Sequence, residues 1–410
     1  MFSRDKSAEE TEDYIISVFH LAIRAAQWIG VVELDIARRG NRRYLSFKNW
    51  NMLKIYSIVT SILVIPWVRF YYIHEESLLK SAGVSSPTQY WAFLLEFYFL
   101  LCCLMYVRLV ETRKGIKAVV FWRKFISLIS FLKVLDEKVH WDKLRTTTRN
   151  RMAFVLVYLC LASVTAISSG MEIARVSLIL IWVTVMSSYQ LFTHYLGAFI
   201  QSYGICLKRI GKDMEALKPC HKGTEGHVNA EKMEDFMRKY YLVDDQVQEF
   251  SAEYGVALTM HIAWNTAIVL VYSFFIVIKL NGGQFETLFW YAPMTIEVAS
   301  QLLILVENCM KIEFEAKKIG FLLQQLEFKE LPGSTLMKVR LFALKIYTNP
   351  VSVSPWKLFR INRTLVNSLT AYVTLYLILF VQFEATDVRR IASNGNSTIL
   401  DSVYNETTLA

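Results

Sequence analysis

The 410-residue sequence predicts an all-α, polytopic membrane protein with seven transmembrane helices, a cytoplasmic N-terminus, an extracellular C-terminus and helical extensions on the cytoplasmic side. Three observations predict it. Seven stretches are long and apolar enough to cross a bilayer, which takes roughly 20 mostly apolar residues. Lys and Arg gather in alternate connecting segments, as they do on the cytoplasmic side of membrane proteins. Within those basic segments apolar residues recur at spacings of three and four, the period of a helix face.

Composition agrees. Hydrophobic residues make up 54% of the chain and aromatic residues 14%, and the mean hydropathy is +0.31, more apolar than a soluble domain requires. The first 13 residues, MFSRDKSAEETED, are charged throughout and have no apolar core before a cleavage site, so insertion is expected to begin at the first internal span.

The expected spans are 53–73, 90–110, 151–170, 176–203, 255–279, 286–309 and 366–383. The sixth is the least apolar, since it holds Glu297 and Gln301. Segments 1–52, 111–150, 204–254 and 310–365 carry 8, 10, 8 and 10 Lys and Arg, 36 in all, whereas the segments on the other face carry 4. That asymmetry sets the orientation. Two N-glycosylation sequons, at Asn396 and Asn405, fall on the side predicted to be extracellular, and a third at Asn362 falls on the cytoplasmic side, where it would go unused.

The domain reading follows in order: a cytoplasmic N-terminal segment, 1–52; spans one to six, 53–309; a cytoplasmic helical anchor, 310–365 together with 204–254; the seventh span, 366–383; and an extracellular tail, 384–410. Residues 14–32 read as an amphipathic helix that lies at the inner membrane surface or packs on the loops. Met233, Phe236, Tyr240, Val243, Val247 and Phe250 mark one helix face in the third basic segment. Ile312, Ala316, Ile319, Leu323 and Leu326 mark a second, and Leu336, Val339, Ala343 and Ile346 a third. Such faces serve packing within a subunit and also contact between subunits. The segment 348–355, with two prolines, is expected to break the third helix before the last span.

Several classes are excluded. The net charge of +9 is spread over four segments without a zinc or RNA-recognition motif, so no nucleic-acid partner is expected. The six cysteines fall in spans or on the reducing side and show no metal or redox spacing, and their simplest role is as small buried residues. His194 and His261 have no partner at ligand spacing. No phosphate-binding glycine loop and no Ser-His-Asp arrangement is present, so neither enzymatic activity nor a cofactor is expected. The predicted orientation is the reverse of that of a G-protein-coupled receptor.

The last span ends Tyr376-Leu-Ile-Leu-Phe-Val-Gln382-Phe383. This resembles the closing signature of insect gustatory receptors, Thr-Tyr, five hydrophobic residues, then Gln-Phe. The Thr position is held by Leu375, with Thr374 one residue earlier. The preceding Phe359-Arg-Ile-Asn362-Arg363 is also similar to that family's approach to its seventh helix. The resemblance implies a ligand-gated, non-selective cation channel assembled as a homotetramer, or as a heteromer with related receptors, with the seventh helix lining the pore. It implies a pocket open to the outside among helices two to six, whose outer halves here supply Tyr90, Trp91, Glu96, Tyr98, Ser168, Trp182, Tyr272, Trp290, Tyr291 and Glu297. It also assigns Tyr376, Gln382 and Phe383 to pore and gate. The implied partners are a small-molecule tastant, permeating cations and lipid, in the plasma membrane of sensory neurons. An odorant-receptor subunit of the same superfamily is the alternative reading, and a G-protein-coupled receptor a more distant one.

Tyr90, Trp91, Trp290 and Tyr291 also fit an interfacial aromatic belt. Glu96 and Glu297 are carboxylates inside spans, and such groups face a partner, water or a ligand, with Arg69 or Arg108 among the possible partners.

Overall fold

The computed structural model describes residues 6–28, 35–39, 42–46, 86–112, 114, 116–134, 138–168, 173–216, 230–283, 285–325 and 332–407. The first expected span, 53–73, lies outside the described residues, as do Arg69, Cys220 and Leu326.

The described chain is built from helices α1 (Lys6–Trp28), α2 (Pro87–Thr112), α3 (Ile116–Phe131), α4 (Lys138–Ser168), α5 (Ile173–Glu215), α6 (Ala230–Glu253), α7 (Gly255–Asn281), α8 (Phe285–Gln324), α9 (Gly333–Thr348) and α10 (Arg363–Thr407). A two-stranded antiparallel hairpin, β1 (Asp35–Arg39) and β2 (Arg42–Ser46), follows α1. The second to seventh expected spans fall on α2, α4, α5, α7, α8 and α10, in that order, each helix running at least a residue past the expected limits except at Gly255, where α7 starts as expected, and at 169–170, which lie outside the described residues.

The helical extensions continue their spans without a break. α5 and α8 run 43 and 40 residues, far longer than a bilayer requires. Each is one rod whose second half leaves the apolar span. α8 carries Ile312, Ala316, Ile319 and Leu323, all buried, as a continuation of span six. α10 continues as helix through the segment expected as an extracellular tail as far as Thr407, and residues 384–407 hold no proline to break it.

At one end of the bundle α1, α3, α5 and α6 meet in an aromatic core. Phe19, Trp122, Phe125 and Phe199 are fully buried, with Trp122 and Phe199 ring centroids 4.7 Å apart and Phe125 and Phe199 5.0 Å apart. Edge and tilted contacts of this kind add to the area each ring buries. The indole Nε1 of Trp122 donates to the Tyr195 hydroxyl at 3.2 Å, so the polar edge of the ring is satisfied inside the core. α1 therefore packs on the loop helices, one of its two expected positions, burying Ile15, Ile16, Val18, Phe19, Ala22 and Ile23.

All six apolar positions anticipated on α6 are buried. On α9 the buried face is Thr335, Val339, Phe342 and Ile346, while Leu336 and Ala343 sit at its border. α9 docks on α6 through Phe342 against Tyr240, centroids 5.1 Å apart, and through Lys345 Nζ, which donates to Asp244 Oδ2 at 2.7 Å.

The break after α9 is present. Residues 349–362 form a non-helical linker with one 3₁₀ turn, Pro355–Lys357, and its Val351, Val353 and Ile361 are buried. Trp356 has φ +47°, and its indole Nε1 donates to the Ala252 carbonyl at 3.1 Å. This pins the linker over the joint where α6 gives way to α7 at Tyr254.

Three features escaped prediction. The hairpin is a small addition to the all-α fold, and its signal was Gly40-Asn41 between two short runs, a dipeptide favoured in two-residue hairpin loops. Helix α3 was signalled by Val119, Trp122, Ile126 and Ile129, all buried on one face. Among the cysteines, Cys103, Cys206 and Cys309 are buried as expected, while Cys102 and Cys160 are exposed on the described surface.

Candidate functional site

Two regions gather the residues singled out by sequence. The first lies where the start of α2 meets α10 just beyond Phe383. A helix begins with backbone N–H groups that lack intrahelical acceptors, together with a partial positive charge. At the start of α2, Ser86 caps the helix by accepting from the Gln89 N–H at 3.1 Å. α10 supplies the rest. Glu384, only 4% exposed, accepts from the Ser86 hydroxyl and, at 2.7 Å, from the Gln89 side-chain amide. One turn on, Asp387 Oδ2 accepts from the Thr88 N–H at 3.1 Å and from its hydroxyl at 2.7 Å. Two carboxylates of α10 thus complete the N-terminus of α2, in the sense the helix dipole favours.

Directly beside this contact, α2 and α10 frame an apolar groove of about 560 Å³, walled by Trp91, Leu95 and Tyr98 on one side and by Phe380 and Phe383 on the other. Trp91 and Phe383 are 68% and 58% exposed, so the groove opens outward from the subunit. Tyr90 stands edge-on to Trp91 with centroids 5.5 Å apart.

Beneath it, α10 rests on α7 through Leu377, Phe380 and Val381, with Phe274 and Phe380 centroids 5.6 Å apart. Tyr272 is buried here and meets Tyr291 at 5.6 Å, and Tyr291 in turn stacks on Phe275 at 5.2 Å. Both candidate tyrosines thus lie in the α7–α8 packing.

The second region is polar and lies between α5, α7 and α8. Glu297 accepts from the Gln190 side-chain amide at 2.7 Å and from that of Gln301, one turn along α8, at 3.3 Å. A carboxylate inside a span is thus held by two amide donors, and among the described residues no cation pairs with it. His261 follows, bonded to the Thr193 hydroxyl at 3.0 Å and to the Asn265 side chain at 2.8 Å. A small void of about 10 Å³ is lined by polar Arg151, His194, Gln301 and Asn308 with Gly197 and Leu305, a size that suits a single water.

Gln190, Thr193, Asn265 and Asn308 were not anticipated. Asn265 had a readable signal, since it follows His261 by four residues. Gln190 and Thr193 lie on α5, and their approach to α7 and α8 is a matter of tertiary packing. The side chains of Glu96, Ser168, Trp182, Trp290, Asn396 and Asn405, and that of Arg108, lie outside the described residues, although their backbones are helical. Tyr376 and Gln382 are exposed on α10. Among the described residues no group of three His, Cys, Asp or Glu side chains is placed to hold a metal ion.

The pattern of helices and their order match known proteins. Along 90% of this chain and 99% of the other, the fold is similar to the insect olfactory receptor OR5 from Machilis hrabei, with a TM-score of 0.56 at 13% identity. The same receptor in complex with eugenol matches over the same shares, with a TM-score of 0.52 at 14% identity. At such identity the likeness is one of fold. No curated protein matches the chain in sequence. Residues 19–387 match the family described as 7tm Chemosensory receptor. The chain therefore belongs to the 7tm chemosensory receptor family, as a multi-pass membrane receptor and not an enzyme.

Proposed function

We propose that the protein is a gustatory receptor that acts as a tastant-gated, non-selective cation channel, with the ends of α2 and α10 described above outside the cell and α6 and α9 inside. The observation that carries this reading is the state of α10. Its segment Arg363–Arg390 is apolar enough to cross a membrane, yet no residue of its apolar 18-residue stretch is buried within the subunit, whereas half of the corresponding stretch of α7 is. It leans on the bundle by one narrow stripe and leaves Thr370, Tyr372, Thr374, Tyr376 and Gln382 uncovered. Lipid would penalise that polar component, whereas a water-filled pore shared by several copies would hydrate it.

A homotetramer is supported by a second uncovered face. On α9, Met337, Leu341, Leu344 and Tyr347 form a stripe opposite the buried one, each more than half exposed, and Phe314 and Phe321 of α8 are exposed at 66% and 60%. Such a stripe on a helix in water suits contact with another copy. The Gln382-Phe383 ending favours a gustatory over an odorant receptor. In this reading Glu297 and the aromatic residues of the outer halves contact a small organic ligand of bitter, plant-derived type or a sugar.

The test is electrical. The chain expressed alone in cells, challenged with a panel of bitter compounds and sugars, should give ligand-evoked cation currents that persist in excised patches without nucleotide. Currents that always require added GTP would refute the channel.

A further inference from the structure

We infer that Glu384 is a positioning residue for the gate: by docking in the N-terminus of α2, it sets the rotation of α10 and so decides which of Gln382 and Phe383 faces the shared axis. The inference rests on the reading of α10 as the pore helix.

The argument is one of angles. Residues on a helix advance by about 100° each, so Leu377, Phe380, Val381, Glu384 and Asp387 all point within about 60° of the direction of Glu384. That arc is the one engaged with the subunit's own bundle: Leu377, Phe380 and Val381 pack on the α7–α8 core, Glu384 is buried against Ser86 and Gln89, and Asp387 bonds Thr88. Gln382 points about 160° away from Glu384, hence away from the bundle. Phe383 points about 100° away, to the flank, where it forms a wall of the groove shared with Trp91 and Leu95.

If copies of the chain surround an axis, the face opposite the bundle is the face they share. With Glu384 docked, that face presents Gln382, and Phe383 is held aside against α2. Bringing Phe383 to the axis requires a rotation of roughly 80° about α10, which would draw Glu384 out from between Ser86 and Gln89. The apolar contacts of Leu377, Phe380 and Val381 tolerate sliding far better than this contact does. A carboxylate accepting several hydrogen bonds at fixed donors is directional, and one left buried without them is costly. Glu384 therefore favours the register in which a hydrogen-bonding ring, not an apolar one, lines the pore mouth.

The register can be read without knowing the ligand, by disulfide cross-linking between copies of the full-length chain in cell membranes under copper-phenanthroline. Gln382→Cys should form dimers on denaturing gels quickly and Phe383→Cys slowly, against the unsubstituted chain as background. Adding Glu384→Ala should slow the Gln382→Cys cross-link by about tenfold, as expected for the loss of charged hydrogen bonds, and speed that of Phe383→Cys. Gln89→Ala should act in the same direction from the α2 side and serves if Glu384→Ala does not reach the surface. Glu384→Gln, which keeps an acceptor, should restore most of the original pattern. If Gln382→Cys cross-links at the same rate with Glu384 or Gln89 replaced, Glu384 does not position the gate, while the pore reading stands. If neither cysteine cross-links in any background, α10 does not line a shared axis, and the channel reading falls together with this one.

Discussion

Gly255→Ala tests whether the joint between α6, α7 and the linker to α10 is as tight as the packing indicates. Gly255 is the first residue of α7 and faces the linker. A methyl group added there would lie 3.0 Å from Trp356 Cδ1, 3.2 Å from its Cγ and 3.1 Å from its backbone nitrogen. Carbon contacts are comfortable at about 3.5 to 4.0 Å, so several tenths of an ångström must be found. The indole could turn only by giving up its hydrogen bond to Ala252, and the backbone nitrogen cannot turn at all. Trp356 already sits at φ +47°, and Val351, Val353 and Ile361 anchor the linker on either side. Overpacking of this kind costs about 1 to 3 kcal/mol. The controls are Gly197→Ala and Gly204→Ala in the interior of α5, where an added methyl meets nothing within 4 Å among the described residues. There the gain of helix propensity, up to about 1 kcal/mol, is unopposed. Thermal melts of the purified protein in detergent should thus rank the Gly255 variant below the unsubstituted chain by several degrees, and both α5 variants level with it or above. If Gly255→Ala melts with the α5 variants, the linker is not pinned at this joint.

Three further outcomes are expected. Phe383→Ala should raise current in the absence of ligand, and Gln382→Ala should lower conductance or alter selectivity at unchanged surface expression. Channels with Phe383→Ala that stay silent at rest and open normally would remove Phe383 from the gate. Asn396 and Asn405 should carry glycan, so replacing both should abolish a glycosidase-sensitive mobility shift, and loss of the shift on Asn362→Gln alone would invert the topology. Cys206 is fully buried in α5 beyond the expected span, and burial pushes its thiol up to about 12, so its reactive thiolate is scarce at pH 8 and becomes common only as pH nears that value. N-ethylmaleimide at pH 8 should therefore leave Cys206 unmodified in the folded protein and label it after denaturation, and ready labelling of the native state, read by peptide mass, would show that this core is open.

The sequence by itself located the helices on which the second to seventh expected spans and the helical extensions fall, because both are written as composition and periodicity. A bilayer demands an apolar run of fixed length, and a helix packed on one side demands apolar residues at three-four spacing. The six positions of α6 from Met233 to Phe250 could therefore be named in advance and are all buried. The sequence also carried the family, through the Tyr376 to Phe383 run, because a short run of fixed residue types at fixed spacing is legible in a single sequence. It even held the hairpin, in Gly40-Asn41, and helix α3, in the spacing of Val119, Trp122, Ile126 and Ile129, though both signals were short.

What only the tertiary structure decided are the pairings between elements distant in sequence. Glu297 accepts from Gln190 and Gln301 because α5 lies beside α8 at that level, a pairing that charge alone could not name, and the side chains of Arg69 and Arg108 lie outside the described residues. Trp91 and Tyr98 share a groove with Phe383, while Tyr272 and Tyr291 lie in the packing between α7 and α8. Glu384 reads in sequence as an ordinary polar residue after the last span, and its partners Ser86 and Gln89 are almost 300 positions away. A hydrogen bond between side chains leaves no period and no spacing in a single sequence. It depends on which helix end meets which helix face, and that is fixed only when the apolar stripes of α2, α7 and α10 close on one another.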